Sequence, residues 1–210
     1  MIKARIFGGL GNQMFQYAAG LALAHKYNVQ LKLDISFFKS CKDRKFMLDR
    51  FNISKDVIIS NRLGMFNSKI ARKIMSIVKF PKWYYRNYST VFDNKIWDLP
   101  KNVYMDGYFQ SEKYFAEIEK KIREEFVPAF ELSEDFNWWQ KTIENCNSVS
   151  IHVRRGDYLL KKNMETHGVL GVDYYEKAVS EMENQIENPQ FHRLVTQQPY
   201  RPPYLHFSST

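Results

Sequence analysis

Ile2-Lys3-Ala4-Arg5-Ile6-Phe7-Gly8-Gly9-Leu10-Gly11-Asn12-Gln13 opens the chain, and the fold class follows from how this stretch continues. Residues 2–7 have a strand composition. Beyond the glycines, Met14, Tyr17, Ala18, Leu21, Ala22 and Ala24 recur at helical spacing, which predicts a helix over 13–27. Val29 to Asp34 then reads as a second strand ending in a carboxylate. Strand, glycine loop, helix and strand make a βαβ unit, the building block of a parallel α/β sheet. Gly9 and Gly11 fit the first two glycines of a dinucleotide loop, but Met14 stands where the third belongs. That glycine normally lets helix and strand pack closely, so the pattern argues against a nicotinamide enzyme. The loop can still offer backbone N–H groups to a polar ligand, and Asn12 and Gln13 add amides suited to a sugar.

A second strand–turn element lies at 148–158, Ser-Val-Ser-Ile-His-Val-Arg-Arg-Gly-Asp-Tyr. Val149, Ile151 and Val153 alternate with Ser148, Ser150 and His152, as in a strand buried on one face. Arg154 and Arg155 follow at its carboxyl end, where open α/β sheets bind ligands. Paired guanidinium groups suit phosphate, since they donate bidentate hydrogen bonds and keep their charge. The plain alternative is a polar turn with both arginines solvated. A polar loop and a helix over about 173–185 complete a second strand–loop–helix unit.

The 210 residues suffice for a sizeable core. Hydrophobic content of 44% and aromatic content of 16% exclude a disordered chain. A net charge of +8 favours anionic partners. No apolar run reaches the ~20 residues that span a bilayer, and the N-terminus does not read as a signal peptide. Cys41 and Cys146 lack metal or disulfide spacing and read as reduced thiols of a cytoplasmic protein. Residues 57–92 contain no Asp or Glu and carry Arg62, Lys69, Arg72, Lys73, Lys79, Lys82 and Arg86. Ile70, Ile74, Ile77 and Val78 share a helical face there. This segment, 62–86, supports a competing reading as a membrane- or nucleic-acid-binding module, against the plainer one of a surface helix on the core.

Val103 to Phe109 reads as a strand, Ser111 as the cap of a helix over 112–126, and Ser133 as the cap of another over 133–146. Four of the seven prolines, Pro189, Pro199, Pro202 and Pro203, fall near the end of the chain. No parallel strand is expected after the helix at 173–185, and the sequence beyond about His192 reads as a disordered tail.

Three motifs now stand in order: Gly8-Gly9-Leu10-Gly11-Asn12-Gln13-Met14-Phe15-Gln16-Tyr17-Ala18, Gly107-Tyr108-Phe109-Gln110-Ser111-Glu112-Lys113-Tyr114-Phe115, and His152-Val153-Arg154-Arg155-Gly156-Asp157-Tyr158. Together they resemble the bacterial α-1,2-fucosyltransferases of glycosyltransferase family 11 over residues 2–191. The resemblance implies a GT-B-like α/β protein of two Rossmann-type domains with the active site in the cleft. Its donor would be GDP-fucose, its acceptor a terminal β-galactoside, and its transfer inverting, with no metal, no cofactor and no nucleic acid. Residues 1–146 would form the acceptor-side domain and 147–192 the start of the GDP-fucose-binding domain, cut short by an atypical tail at 193–210. Activity of so short a chain would then be doubtful. The location implied is the cytoplasm, with peripheral association at the inner face of the membrane. Arg154 and Arg155 would contact the donor diphosphate, with Arg155 and Asp157 at the chemistry and His152 shaping the loop. Gly8, Gly9, Gly11, Asn12 and Gln13 would line the substrate site. Asp157, Asp106, Glu112 and Asp34 are all open as the general base.

Overall fold

A computed structural model describes residues 1–61, 70, 82–154 and 170–196, with Arg154 and residues 194–196 described by backbone only. The chain divides into two compact units, Met1–Glu131 and Leu132–Thr210. The helix predicted at 133–146 therefore counts with the second unit, fifteen residues before the boundary expected at 146.

The first unit is built on a five-stranded sheet, β1 (Ile2–Arg5), β2 (Leu31–Asp34), β3 (Ile58–Ser60), β4 (Tyr84–Asn87) and β5 (Tyr104–Gly107), in the order β3-β2-β1-β5-β4. Every pairing is parallel, as the βαβ reading requires. Strand β1 is central, which explains why Ile2, Ala4 and Arg5 are all buried and only Lys3 is exposed. Helix α1 (Leu10–Lys26) packs on β1 and β2. Its residues Gln16–Ala24 are buried without interruption, so the helix lies within the core and not as a one-faced surface helix. Full burial of Leu23, of Ile2 and Leu33 on the strands, and of Ile6 directly after β1 contributes roughly 1.5–3 kcal/mol each.

The close helix–strand approach, missing at Met14, occurs two turns later. A Cβ on Gly20 would lie 3.0 Å from both Ala4 Cβ and Leu31 Cδ1. The helix ends in a Schellman turn: Asn28 takes φ 49°, its N–H bonds His25 O at 3.0 Å, and Val29 N–H bonds Ala24 O at 3.0 Å. Deeper in the unit, the Tyr17 hydroxyl donates to Glu125, which also pairs with Lys121 at 3.3 Å.

The helix expected over 112–126 is broken. Residues 112–114 and 116–118 are 3-10 turns, and only Glu119–Glu125 (α2) is α-helical. The break is at Phe115, φ −145°. It lets Tyr114 bury its ring while its hydroxyl accepts from Asp93 N–H at 2.8 Å and Asn87 Nδ2 at 3.2 Å. Ser111 caps the first turn as expected, accepting from Lys113 N–H.

In the second unit, α3 (Glu134–Glu144) is capped by Ser133, which accepts from Phe136 N–H at 3.2 Å. Strand β6 (Asn147–Arg154), helix α4 (Val172–Gln185) and strand β7 (Pro189–Thr196) follow. Strands β6 and β7 pair in parallel along their whole length, Asn147↔Pro189 to Arg154↔Thr196. This corrects the expected loss of fold at His192, because the chain does deliver a parallel strand after α4. Pro189 is tolerated as the first strand residue, where its missing N–H costs least. Neither α3 nor α4 has a buried residue, and Phe136, Trp138, Trp139 and Ile143 are exposed.

Six tyrosines, Tyr17, Tyr84, Tyr85, Tyr88, Tyr104 and Tyr114, are held above their ordinary ionisation range, chiefly by burial, and each also by the charge of a carboxylate close by. Tyr88, beside Asp106, is pushed up to about 12. A raised folded value means the fold favours the neutral phenol, so this stabilisation is complete below pH ~10, the unfolded value. It is lost as pH rises through the folded values. Tyrosinate absorbance is expected to show these rings resisting ionisation from pH ~10 to ~12 and then ionising together as the unit unfolds. Titration of all thirteen tyrosines as one simple wave at pH ~10 would contradict the packing described.

Candidate functional site

In an open parallel sheet, ligands bind beyond the carboxyl ends of the strands where the order reverses direction. Here that point lies between β1 and β5, which end at Arg5 and Gly107. A buried polar network occupies it. Arg5 Nη1 pairs with Asp106 Oδ1 at 3.0 Å, and neither side chain is more than 6% exposed. Tyr88 donates to the same oxygen at 2.8 Å and Tyr84 to Asp106 Oδ2 at 2.6 Å. Burial would lower the Arg5 guanidinium, but the charge and hydrogen bond of Asp106 outweigh it and raise it. Asp34, at the end of β2, accepts from Ser36 N–H at 2.9 Å and from the Tyr104 hydroxyl at 2.6 Å. All four oxygens of Asp34 and Asp106 thus have partners. Glu112, by contrast, is exposed.

The glycine loop is shorter than the sequence suggests. Gly9 is the N-cap of α1, so Gly11, Asn12 and Gln13 lie in the helix's first turn. Gly8 has φ +82°, and a Cβ there would meet Asn12 Nδ2 at 2.8 Å, so this position requires glycine. At Gly9 and Gly11 a Cβ would meet nothing within 4 Å; packing does not explain either. Asn12 is half-buried and accepts from Nε2 of the exposed Gln110 at 2.7 Å. That bond joins the first and second motifs of the chain. Gln13 is fully buried and braces the loop: its Nε2 donates to Gly8 O at 3.1 Å and Lys45 O at 2.9 Å, and its Oε1 accepts from Met47 N–H at 3.0 Å. Gln16 Oε1 accepts from Phe7 N–H at 2.9 Å, while its buried Nε2 has no partner.

In the second unit, the Arg-Arg motif starts at the carboxyl end of β6, whose last residue is Arg154. His152 is exposed on that strand and registers with Leu194 of β7. Arg155, Gly156 and Asp157 lie outside the described residues, as does most of the basic segment 62–86. Within that segment Ile70 is helical and 71% exposed. No helix among the described residues is long and apolar enough to cross a membrane. No three His, Cys, Asp or Glu side chains among them converge as a metal site would need.

Residues 1–196 match the family model for glycosyl transferase family 11. The chain belongs to that family. As a family 11 glycosyltransferase, it is 34% identical over 192 residues to an alpha-1,2-colitosyltransferase of Escherichia coli, a match covering 90% of this chain and 66% of that protein. It is 33% identical over 207 residues to the O-antigen biosynthesis glycosyltransferase WbnK of Escherichia coli, covering 84% of this chain and 66% of that protein. The family 11 chain therefore spans just under two thirds of the length of these curated relatives. A solved NodZ alpha-1,6-fucosyltransferase soaked with GDP-fucose aligns over 93% of this chain and 70% of its own, at 12% identity and a TM-score of 0.43, too slight a likeness to carry an argument. The family match runs to the end of β7, so residues 193–196, expected to belong to an atypical tail, lie within the matched stretch.

Proposed function

We propose that this family 11 glycosyltransferase transfers L-fucose from GDP-fucose to the 2-hydroxyl of a terminal β-galactoside, with inversion and without a metal. The observation that carries the reading is the position of Arg154, the first arginine of the Arg154-Arg155 pair in the sequence, at the carboxyl end of β6, a parallel strand within the family match. Under this reading Arg154 and Arg155 hold the donor diphosphate and neutralise the charge that develops on departing GDP. The second unit opens a GDP-binding domain of Rossmann type in a GT-B-like protein. The first unit serves the acceptor, with the unfilled space at Gly9 and Gly11 admitting a ligand close to the backbone. An inverting displacement needs a base for the acceptor hydroxyl. Asp34 and Asp106 are committed to hydrogen bonds, which leaves Asp157 and Glu112 for that role.

The direct test is thermal protection of the full chain by GDP. Protection of several degrees is expected, and Arg155→Ala should abolish it. A folded chain that GDP does not protect refutes donor binding. Neutralising Lys69, Arg72 and Lys73 should leave that protection intact. If instead liposome binding depends on those three residues and GDP has no effect, the basic-module reading prevails.

A second reading changes only the donor sugar. The alpha-1,2-colitosyltransferase aligns over 90% of this chain, so colitose is an alternative to fucose on the same nucleotide. GDP release from the two sugar nucleotides in the presence of a β-galactoside separates them.

A further inference from the structure

The polar network at the β1–β5 end is roofed by aromatic rings that none of the roles above uses. Phe7, directly after β1, is buried. Its ring centroid lies 5.1 Å from that of Tyr108, 5.9 Å from Tyr88 and 6.0 Å from Phe37. Tyr88 and Tyr108 meet edge to face at 5.4 Å. The Arg5 guanidinium lies 4.6 Å from the Phe7 ring centre, so the cluster is anchored on its protein side. Its outer members are accessible: Tyr88 is 37% exposed, and Tyr108 and Phe37 are half-buried.

Backbone geometry keeps this set in place. Phe109 takes φ +53°, a conformation rare for a non-glycine residue. Phe109 is buried, whereas its neighbours Tyr108 and Gln110 remain accessible. Gln110 bonds Asn12, setting one exposed and one half-buried neutral amide close in sequence to Tyr108 and Phe7. The Tyr108 hydroxyl has no partner among the described residues. Aromatic faces beside neutral amides suit a saccharide, whose C–H face is apolar and whose hydroxyls need donors and acceptors; the exposed Arg86 guanidinium, 4.8 Å from the Tyr88 ring centre, covers one face of that ring and adds a further donor.

We infer that Tyr108 and Tyr88, backed by Phe7 and Phe37 and flanked by Asn12 and Gln110, form the platform that holds the acceptor sugar. The identity of the ligand rests on the glycosyl-transfer reading above; the platform rests on geometry. Tyr108 provides the stacking contact and Gln110 a hydroxyl contact.

The test uses methyl β-D-galactopyranoside on the full chain, followed by saturation-transfer NMR, with GDP thermal shifts recorded on the same samples. The wild-type chain is expected to saturate the sugar ring protons. Tyr108→Ala should weaken binding roughly tenfold, the scale of one aromatic contact, and Tyr108→Trp should largely restore it. Gln110→Ala, at an exposed position that does not endanger folding, should weaken it roughly threefold, in line with one exposed hydrogen bond. GDP protection should be the same in all four chains. Galactoside binding through Tyr108 without GDP protection supports the platform and counts against the donor reading. GDP protection with no galactoside binding overturns the platform and leaves the donor reading intact. Binding at wild-type strength in both Tyr108→Ala and Gln110→Ala also overturns it.

Discussion

Asp106→Ala is expected to destabilise the first unit by about 3–5 kcal/mol, the usual cost of leaving one partner of a buried ion pair alone. The substitution strands the Arg5 guanidinium, whose side chain is 6% exposed, and removes the acceptor of both Tyr84 and Tyr88. Hydrogen exchange of the β1 and β5 amides in the full chain is the appropriate measurement, because it reads this unit separately from the second. Asp106→Asn should cost less, since an amide can still accept from one tyrosine. Removing both charges in an Arg5→Met, Asp106→Leu pair should cost less than Asp106→Ala alone, because no buried charge is left unpaired. A change below about 1 kcal/mol for Asp106→Ala would show that water reaches Arg5 and that the pair is not buried as described.

One residue later, Gly107→Ala should be more damaging still. A Cβ at this position would sit 1.9 Å from the backbone oxygen of Asn87 and 2.8 Å from its carbonyl carbon. The obstacle is main chain, so no rotamer change relieves it. The Tyr108 N–H bond to Asn87 O, 3.1 Å, holds the two strand ends together there. Relief requires β4 and β5 to separate. That shifts Tyr84 and Asp106, so the loss extends to the network beneath. A penalty above about 4 kcal/mol is expected, seen as insoluble protein or as loss of protection across β4 and β5. Gly11→Ala is the control, because its Cβ meets open space and alanine is a better helix former. A Gly107→Ala chain as stable as wild type would mean that the strand ends lie farther apart.

Much of the first unit was legible because its signals are local. The run from Ile2 to Asp34 contains a strand, two glycines, an apolar helix and a second strand, and the structure keeps that order. Its glycines were harder to place. Gly9 caps α1 without a side-chain bond, so nothing in the residue types separates a capping glycine from a loop glycine. Gln13 reads as a ligand residue by its amide, yet it braces the loop internally. The role of Arg5 has no local signature, because its partner is 101 residues away. Lys3, two residues earlier on the same strand, is exposed, so neither residue type nor alternation marks Arg5 as buried. Strand β7 escaped detection for a related reason. Gln190, His192 and Arg193 interrupt its apolar residues, and its extended form comes from pairing with β6. Arg154 does end a strand, as the clear alternation of Val149, Ile151 and Val153 requires.

The sheet order also bears on the timing of folding. Strand β1 emerges from the ribosome before either of its neighbours, and one of them, β5, is made about a hundred residues later. The β1–α1–β2 hairpin-like start can form early through local contacts, whereas closing the β1–β5 edge must overcome a long loop. Until Asp106 arrives, Arg5 is an unneutralised cation on a strand edge that is otherwise sticky. An inward-facing charge of that kind discourages foreign strands from pairing there. The arginine that the finished sheet neutralises with Asp106 thus guards the open edge during synthesis, and variants that remove Arg5 should show lower soluble yield out of proportion to their loss of equilibrium stability.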